Sequence, residues 1–240
     1  MSWRPIWVAR ADRRTYMSSG APEAILGFGT QLMNTRERIL ETSLSLFNSF
    51  GEPNTSTNHI ADEMDISPGN LYYHFRNKGE IVDVLFQGYE RRMLELLSAS
   101  ESRDLDVEDM WLFLHLAFEI IWDYRFLYRD LDNLLGRHRL VRRHFQRIMR
   151  RKTDTALSIC RGLAKVGVLR ASDEEIDSLC RNIVLVTTYW MSFDNAMRPR
   201  HTDPGNVLGR GVYQVMSLVA PFLEGDQRVL IQTLGRRYLV

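Results

Sequence analysis

The stretch Ile66–Lys78, ISPGNLYYHFRNK, decides how the N-terminal part of this chain is interpreted. Pro68 suits the first turn of a helix, because its missing amide hydrogen is not needed there. At about 100° per residue, Leu71 and Phe75 then share one face, and Tyr73 points away from it. The stretch therefore predicts a short helix that two apolar residues anchor and that presents a tyrosine outward.

A second helix is predicted just before this stretch. Ser56 can cap it, and the Met64–Ser67 segment, MDIS, makes a tight turn between the two helices. This is the layout of a helix-turn-helix unit, in which the second helix enters the major groove of DNA. Hydroxyl, amide and imidazole groups reach phosphates or base edges, and glycine allows a close approach of the backbone. The residues predicted to contact DNA are Ser56, Thr57, Gly69, Asn70, Tyr72, Tyr73, His74 and Lys78.

The charge of this region does not mark it as a nucleic-acid-binding domain. The 240-residue chain has a formal net charge of +1. Between Met33 and Leu97, six basic residues stand against ten acidic residues, a net charge of −4. DNA binding would then rest on local geometry and few phosphate contacts, so we expect modest affinity and a shallow dependence on salt.

The segments TRERILETSLSLFNSFG and TSTNHIADEMDISPGNLYYHFRNKGEIV closely resemble the N-terminal domain of the TetR family of transcriptional regulators. The resemblance covers roughly Thr35–Tyr89. It implies an all-α homodimer with a DNA-binding head and a divergent ligand-binding body. Two departures are Asp65, where many members have glycine, and Pro68, where others often have a polar contact residue. The resemblance implies DNA contacts at Thr57, Ser67, Gly69, Asn70, Tyr72, Tyr73, His74 and Lys78.

Helical periodicity begins at Met33 and continues through most of the chain, and no segment makes a convincing strand. We predict an apolar helix over Met110–Leu135, followed by a basic helix from Arg137 to about Gly167. The fold class is therefore all-α. A three-helix helix-turn-helix head is predicted at residues 33–80, and a helical effector-binding and dimerisation body at residues 81–240.

Residues 1–32 follow no helix or strand pattern. We interpret them as a poorly ordered extension or an incorrectly assigned start, with Met33 as the natural first residue. The alternatives are an extension that packs on the body, or a basic arm that reaches the minor groove of DNA. The arginines that would serve such an arm are Arg4, Arg10, Arg13 and Arg14.

Two helices in the body repeat apolar residues at alternating steps of four and three, the pattern of a helix bundle. The first set is Ile176, Cys180, Ile183, Thr187 and Trp190, and the second set is Leu208, Val212, Val215, Val219 and Phe222. One interpretation is that both sets face the protein's own core. The interpretation that we favour is a homodimer formed through the helices near residues 174–197 and 206–223, with Gly209 and Gly211 allowing close approach.

The aromatic helix is the predicted wall of an effector site, because its rings recur on one side and His115 and Glu119 add polar groups. The predicted ligand-binding residues are Trp111, His115, Phe118, Glu119, Trp122 and Phe126. A plain core with a satisfied His–Glu pair is the alternative. This helix and the late VYQVMSLVAPFL segment are similar to a TetR subgroup that includes PhaD-like regulators, which implies a small hydrophobic, fatty-acyl effector. The basic residues from Arg137 to Lys152 form a solvated face or meet an anionic ligand such as a CoA phosphate.

Other classes of function find little support in the sequence. It has no nucleophile elbow, phosphate-binding glycine loop or zinc-protease motif, so we predict no enzyme, no cofactor and no metal. Cys160 and Cys180 are expected to be buried free thiols, and the apolar run Ile183–Phe193 is too short to cross a membrane. We predict a cytoplasmic, ligand-responsive repressor that binds a palindromic double-stranded DNA operator as a homodimer. The alternative is an all-α small-molecule-binding protein that acts through protein contacts without DNA.

Overall fold

The structure, a computed structural model, describes residues 34–99, 106–197 and 204–238. Within these residues the chain forms eleven α-helices, a 3-10 helix at Ala220–Phe222 and no β-strand, which confirms the all-α prediction. The helices are α1 (Thr35–Phe50), α2 (Thr57–Glu63), α3 (Pro68–His74), α4 (Lys78–Ala99), α5 (Val107–Asp123), α6 (Arg125–Arg129), α7 (Leu131–Arg137), α8 (Arg139–Lys165), α9 (Asp173–Met197), α10 (Pro204–Val219) and α11 (Gly225–Arg236).

The first three helices begin and end where local sequence signals predict. Gly51 follows α1 with a φ of 89°, a left-handed conformation that glycine adopts without strain. Ser56 caps α2, because its hydroxyl oxygen accepts a hydrogen bond from the His59 amide at 3.1 Å. Asp65 has a φ of 54° in the turn before α3, a conformation that aspartate tolerates better than most residues. Gly51 and Asp65 thus stand in the two connections that separate α1, α2 and α3.

The body is a bundle in which α8 lies between α4 and α9, and α10 packs against both α9 and α5. A capping box lies at the start of α9. Glu175 accepts from the Ser172 amide at 2.7 Å, and Ser172 accepts from the Glu175 amide at 3.2 Å. Cys160 and Cys180 are free and buried, as predicted. None of the described helices is long and apolar enough to cross a membrane.

The predicted helix Met110–Leu135 is wrong as one continuous helix. It is divided into α5, α6 and α7, with breaks at Tyr124 and Asp130. At the first break the side chain of Asn48 replaces helical hydrogen bonds: its Nδ2 donates to the Asp123 carbonyl at 2.8 Å, and its Oδ1 accepts from the Phe126 amide at 3.0 Å. The sequence also did not predict α11, which begins at Gly225, a residue with a φ of 53°.

The two apolar sets expected at a dimer interface are buried within this chain. Ile176, Cys180 and Trp190 of α9 are covered, and Val212, Val215 and Val219 of α10 are completely covered. A Cβ atom at Gly211 would collide with the ring of Phe118 and lie 2.7 Å from Trp190 Cδ1, so this glycine makes room for rings of its own chain. The alternating steps of four and three therefore describe the core of the body, and these residues are not the contacts of a homodimer. A homodimer formed through α9 and α10 stays a prediction.

The interpretations of residues 1–32, including the basic arm, lie outside the described residues. The boundary between head and body at residues 80 and 81 stays a prediction. One helix crosses this boundary, because α4 starts at Lys78 in the head and continues without a break to Ala99 in the body. We keep the names head for residues 33–80 and body for residues 81–240.

Candidate DNA-binding surface and ligand cavity

The helix α3 is fixed at its two ends and on one face. Ser67 caps it by accepting from the Asn70 amide at 3.2 Å, and Pro68 occupies the first turn. Leu71 and Phe75 are completely buried and hold the helix to the head. Arg36 of α1 lies over the Phe75 ring, 4.7 Å from its centroid, and covers that anchor from outside. The helix can therefore present its opposite face without losing its place.

That opposite face carries the predicted contact residues. Tyr73 is 86% exposed, and Gly69 and Asn70 are exposed beside it. Tyr73 is held in place by its helix and points into solvent, so its side chain adds almost no buried area to the fold. His74 is partly covered and meets Tyr73 edge to face, with ring centroids 5.1 Å apart. The structure thus places four predicted residues on one surface.

Tyr72 belongs to the same surface but has a second role. Its hydroxyl is hydrogen-bonded to the Thr57 hydroxyl at 3.0 Å, which ties the start of α2 to α3. Thr57, at the start of α2, therefore lies beside α3. An open groove of about 720 Å³ lies between these elements. Its lining residues are Pro53, Asn54, Thr55, Ser56, Thr57, Tyr72, Arg76, Asn77 and Lys78.

Lys78, which is predicted to contact DNA, is bonded instead to other residues of the head. Its Nζ donates to the carbonyl oxygens of Glu52 at 2.7 Å and Thr55 at 3.0 Å, and it lies 2.8 Å from a carboxylate oxygen of Glu52. Glu52 is only 4% exposed, and Arg137 approaches its other oxygen at 3.8 Å. Lys78 is held in the head because the buried carboxylate of Glu52 needs a cation beside it. A DNA phosphate would therefore have to compete with three contacts of Lys78.

We expect Lys78→Met to destabilise the head. The substitution leaves the Glu52 carboxylate buried with only the distant Arg137, and breaking such a pair from one side costs about 3 kcal/mol. Urea unfolding followed by circular dichroism measures this loss. Lys165→Met is the matched control, because Lys165 is an exposed lysine in the last turn of α8. An unchanged unfolding free energy for Lys78→Met would show that Lys78 is free to bind phosphate.

The body contains an almost entirely apolar cavity between α4, α5, α8 and α9. Its non-atom space, counted together with the solvent at its opening, is about 570 Å³. The lining residues are Met93, Leu97, Met110, Phe113, Leu114, Ala117, Lys152, Ala156, Ile159, Cys160, Ile183, Val184 and Thr187. Lys152 is the one charged side chain among them.

None of the six residues predicted to bind a ligand lines this cavity. Trp111, His115 and Glu119 form a hydrogen-bonded cluster with Tyr238 on another face of α5. Trp111 Nε1 donates to Tyr238 Oη at 2.9 Å, and His115 lies 3.0 Å from Tyr238 Oη and 3.2 Å from Glu119. The hydrogen bond from His115 lowers the pKa of Glu119, and burial raises the pKa of Tyr238 to about 12. This cluster matches the alternative of a satisfied His–Glu pair.

The other three predicted residues lie in three further places. Phe118 is buried and fills the space beside Gly211, whereas Trp122 is stacked under the guanidinium of Arg125 at 4.6 Å. Phe126 is buried against Phe47 of the head, with ring centroids 5.4 Å apart. The reason for the correction is that the aromatic residues of α5 and α6 point in several directions, and the cavity uses the flank that carries Met110, Leu114 and Ala117.

The sequence holds one signal for this cavity, at Lys152. Lys152 interrupts an apolar set on α8 at alternating steps of four and three: Val141, Phe145, Ile148, Lys152, Thr155 and Ile159. A lone lysine in such a set predicts either a break in the core or a cation aimed into it. The structure shows the second, because Lys152 is 7% exposed. Because Lys152 also ends the basic run that starts at Arg137, the sequence predicts a solvated or anion-binding position for it.

These observations define a helix-turn-helix protein of the all-α type with a cavity in its body. Two family models match it: one described as bacterial regulatory proteins of the tetR family, over residues 39–85, and one described as TetR, a bacterial transcriptional repressor, over residues 88–230. The chain therefore belongs to the TetR family of bacterial transcriptional regulators.

Individual relatives agree with this assignment. The crystal structure of a TetR-family transcriptional regulator from Marinobacter aquaeolei VT8 has a TM-score of 0.77 and 37% identity, over 86% of this chain and 99% of that chain. The probable HTH-type transcriptional regulator YttP of Bacillus subtilis is 28% identical over 44% of this chain and 50% of its own length. The HTH-type transcriptional regulator TtgR of Pseudomonas putida is 30% identical over 40% and 47%. The chain thus spans about half the length of these two curated relatives.

Proposed function

We propose that the protein is a transcriptional repressor that binds an operator in double-stranded DNA as a homodimer and responds to a small hydrophobic ligand. The observation that carries this proposal is the exposed face of α3, where Tyr73 reaches into solvent from a helix anchored by Leu71 and Phe75. Family membership and the repressor description of the matching model support repression. The protein would act in the cytoplasm, where bacterial DNA lies.

The homodimer would use α9 and α10, with new contact residues on α9. Four large apolar side chains, between 44% and 68% exposed, recur at steps of four along this helix: Leu185, Tyr189, Phe193 and Met197. We call them the α9 stripe. An exposed apolar surface of this kind marks an interaction site. A second copy of the chain is the occupant that the proposed two-fold operator requires, because two heads must bind two half-sites.

Ligand binding in the cavity would change the position of the head through α4. This helix begins at Lys78, which is bonded to the loop between α1 and α2, and its later residues Met93 and Leu97 line the cavity. A rigid helix of 22 residues transmits a displacement at one end to the other. The proposed mechanism is a shift between two dimer geometries, one of which spaces the heads for DNA.

Asn48 makes a second connection between head and body. Besides its two side-chain bonds at the α5–α6 break, its carbonyl oxygen accepts from Arg129 Nη1 at 2.8 Å. The α1 helix is therefore attached to α5 and α6 by three hydrogen bonds, and α5 is a wall of the cavity. A movement of α5 on ligand binding would pull on the head at this point.

We expect Asn48→Ala to lower the free energy of unfolding by about 1–3 kcal/mol, because it leaves the Phe126 amide and the Asp123 carbonyl without their partner. Hydrogen exchange at the Phe126 amide should also become faster. Asn133→Ala is the control, since Asn133 donates only to the nearby Asp130 side chain. Equal stability of the two variants would contradict the proposed connection.

The effector is proposed to be a fatty-acyl compound. The similarity of the aromatic helix to PhaD-like regulators supports this, and so does a cavity whose walls are almost entirely apolar. Apolar walls favour a hydrocarbon over a polar metabolite, because burial of apolar area is the main gain on binding.

Fluorescence anisotropy with DNA from upstream of the protein's own gene tests the proposed function. We expect saturable binding at low salt, with two chains for each operator, and weaker binding when an effector is present. A complete absence of binding at low salt, with and without acyl compounds, would favour the alternative of a ligand-binding protein that acts through protein contacts.

A further inference from the structure

Lys152 lines the cavity, and no carboxylate of the residues that the structure describes forms an ion pair with its ammonium group. Within the described residues its polar contact is with the Tyr128 hydroxyl, 3.2 Å from Nζ, and Nζ lies 5.4 Å from the centroid of the Tyr128 ring. A buried cation with no anionic partner is costly. The ion pairs of the described body use other groups, such as Glu90 with His144 and Arg147.

Burial is the cause of a strongly lowered pKa at this position, about 7 for Lys152. The Tyr128 hydroxyl is itself hydrogen-bonded to the Tyr89 hydroxyl, and burial raises the pKa of both phenols, so neither supplies a negative charge. The cavity is thus an apolar space with one amine that lacks a counter-ion. The chemistry that fits such a space is an anion with a hydrocarbon tail.

We propose that the cavity binds a free monocarboxylic acid with a slender hydrocarbon tail, its carboxylate paired with Lys152 Nζ and its tail along Met93, Met110 and Ile183. This inference rests on the proposed role of the cavity as the effector site and names the chemical class of the effector. A free acid differs from a thioester at this site, because the neutral carbonyl group of a thioester has no charge to pair with Lys152. The arginines of α8 that would meet CoA phosphates, such as Arg139, Arg143 and Arg150, are exposed, whereas Lys152 is buried.

The same lysine provides a route from the ligand to the head. Lys152 is bonded to Tyr128 of α6, and Phe126, two residues earlier in that short helix, donates its amide to Asn48 of α1. A carboxylate that binds Nζ competes with the Tyr128 hydroxyl for it. Release of Tyr128 then alters the contact that positions α6 against the head.

The test measures binding of decanoate, decanol, methyl decanoate and decanoyl-CoA to the full-length protein by isothermal titration, below micelle-forming concentrations and without DNA. We expect decanoate to bind about 10- to 100-fold more tightly than decanol or the methyl ester, the range for a hydrogen bond to a charged group. Lys152→Met should abolish this preference while keeping the affinity for decanol. Lys165→Met, on the same helix but exposed, should behave as the wild type.

Decanoate should also weaken operator binding by the wild-type protein and leave operator binding by Lys152→Met unchanged. Equal affinity for decanoate and decanol would overturn the inference, as would binding of decanoyl-CoA without binding of decanoate. Operator binding with no affinity for any of the four probes would overturn the inference and leave the proposed repressor function intact. Preferential binding of decanoate by a protein that binds no DNA would support the inference and contradict the repressor function.

Discussion

Phe193→Glu is expected to convert the protein from a dimer into a folded monomer and to lower operator affinity about 100- to 10,000-fold. Phe193 is 57% exposed near the middle of the α9 stripe, so a glutamate there costs the monomer little. In the dimer the same carboxylate would be buried against apolar side chains without a partner. Loss of the second head removes the avidity of two linked half-sites, which is the source of the expected range.

Light scattering after gel filtration measures the mass, and anisotropy measures the affinity. Val166→Glu is the matched control, because Val166 is 63% exposed at the end of α8, away from the α9 stripe. It should remain a dimer with normal affinity. If Phe193→Glu is still a dimer, α9 does not form the interface that we propose.

Tyr73→Ala should weaken operator binding by about 30-fold or more while the dimer remains folded. A good contact to a base contributes about 1–3 kcal/mol, and each dimer carries two copies of it. Tyr73 is almost entirely exposed, so its removal takes no packing from the head. Unfolding temperature and dimer mass should match those of the wild type.

Two variants on the same helix separate the roles of its residues. Tyr73→Phe keeps the ring for contact with a thymine methyl and removes only the hydroxyl, so it should give an intermediate loss of affinity. Leu71→Ala should instead destabilise the head by about 2–5 kcal/mol, because Leu71 is completely buried. If Tyr73→Ala unfolds the head and Leu71→Ala does not, the assignment of the two faces of α3 is wrong.

The head could be predicted from sequence because its signals are local. Ser56 and Asp65 act on the backbone within three residues of themselves, and the predicted cap and tight turn are present. The faces of α3 also follow from helical periodicity alone. Such features depend on residues that are neighbours in the chain, so one sequence suffices to find them.

The breaks in the aromatic helix could not be predicted in this way. The break at Tyr124 depends on Asn48, which is 75 residues from Asp123 in the chain, and local periodicity carries no information about such a contact. The steps of four and three in α9 were recognised, but the pattern does not state which partner covers it. The α9 stripe recurs at steps of four and lies outside the set at alternating steps, so that set gives no indication of it.

The residues predicted to bind a ligand do not line the cavity, for a related reason. The prediction rests on aromatic residues such as Trp111, His115 and Trp122, yet Phe113 is the one aromatic residue that lines the cavity, beside mainly aliphatic side chains and Lys152. A cavity is space that packing leaves unfilled, and the helices that enclose it come from four separate segments. The one clue that sequence offered was a lysine at a core position of α8.

Selection of genomic fragments by the purified protein tests the central claim most directly. Wild-type protein and Tyr73→Ala are each mixed with fragmented DNA of the source genome at low salt, and the bound fragments are sequenced. We predict that the wild type enriches sites with two inverted half-sites whose centres lie about 34–36 Å apart, or a multiple of that distance, and that Tyr73→Ala enriches none. Equal enrichment by both proteins, or no enrichment by the wild type, would contradict the account.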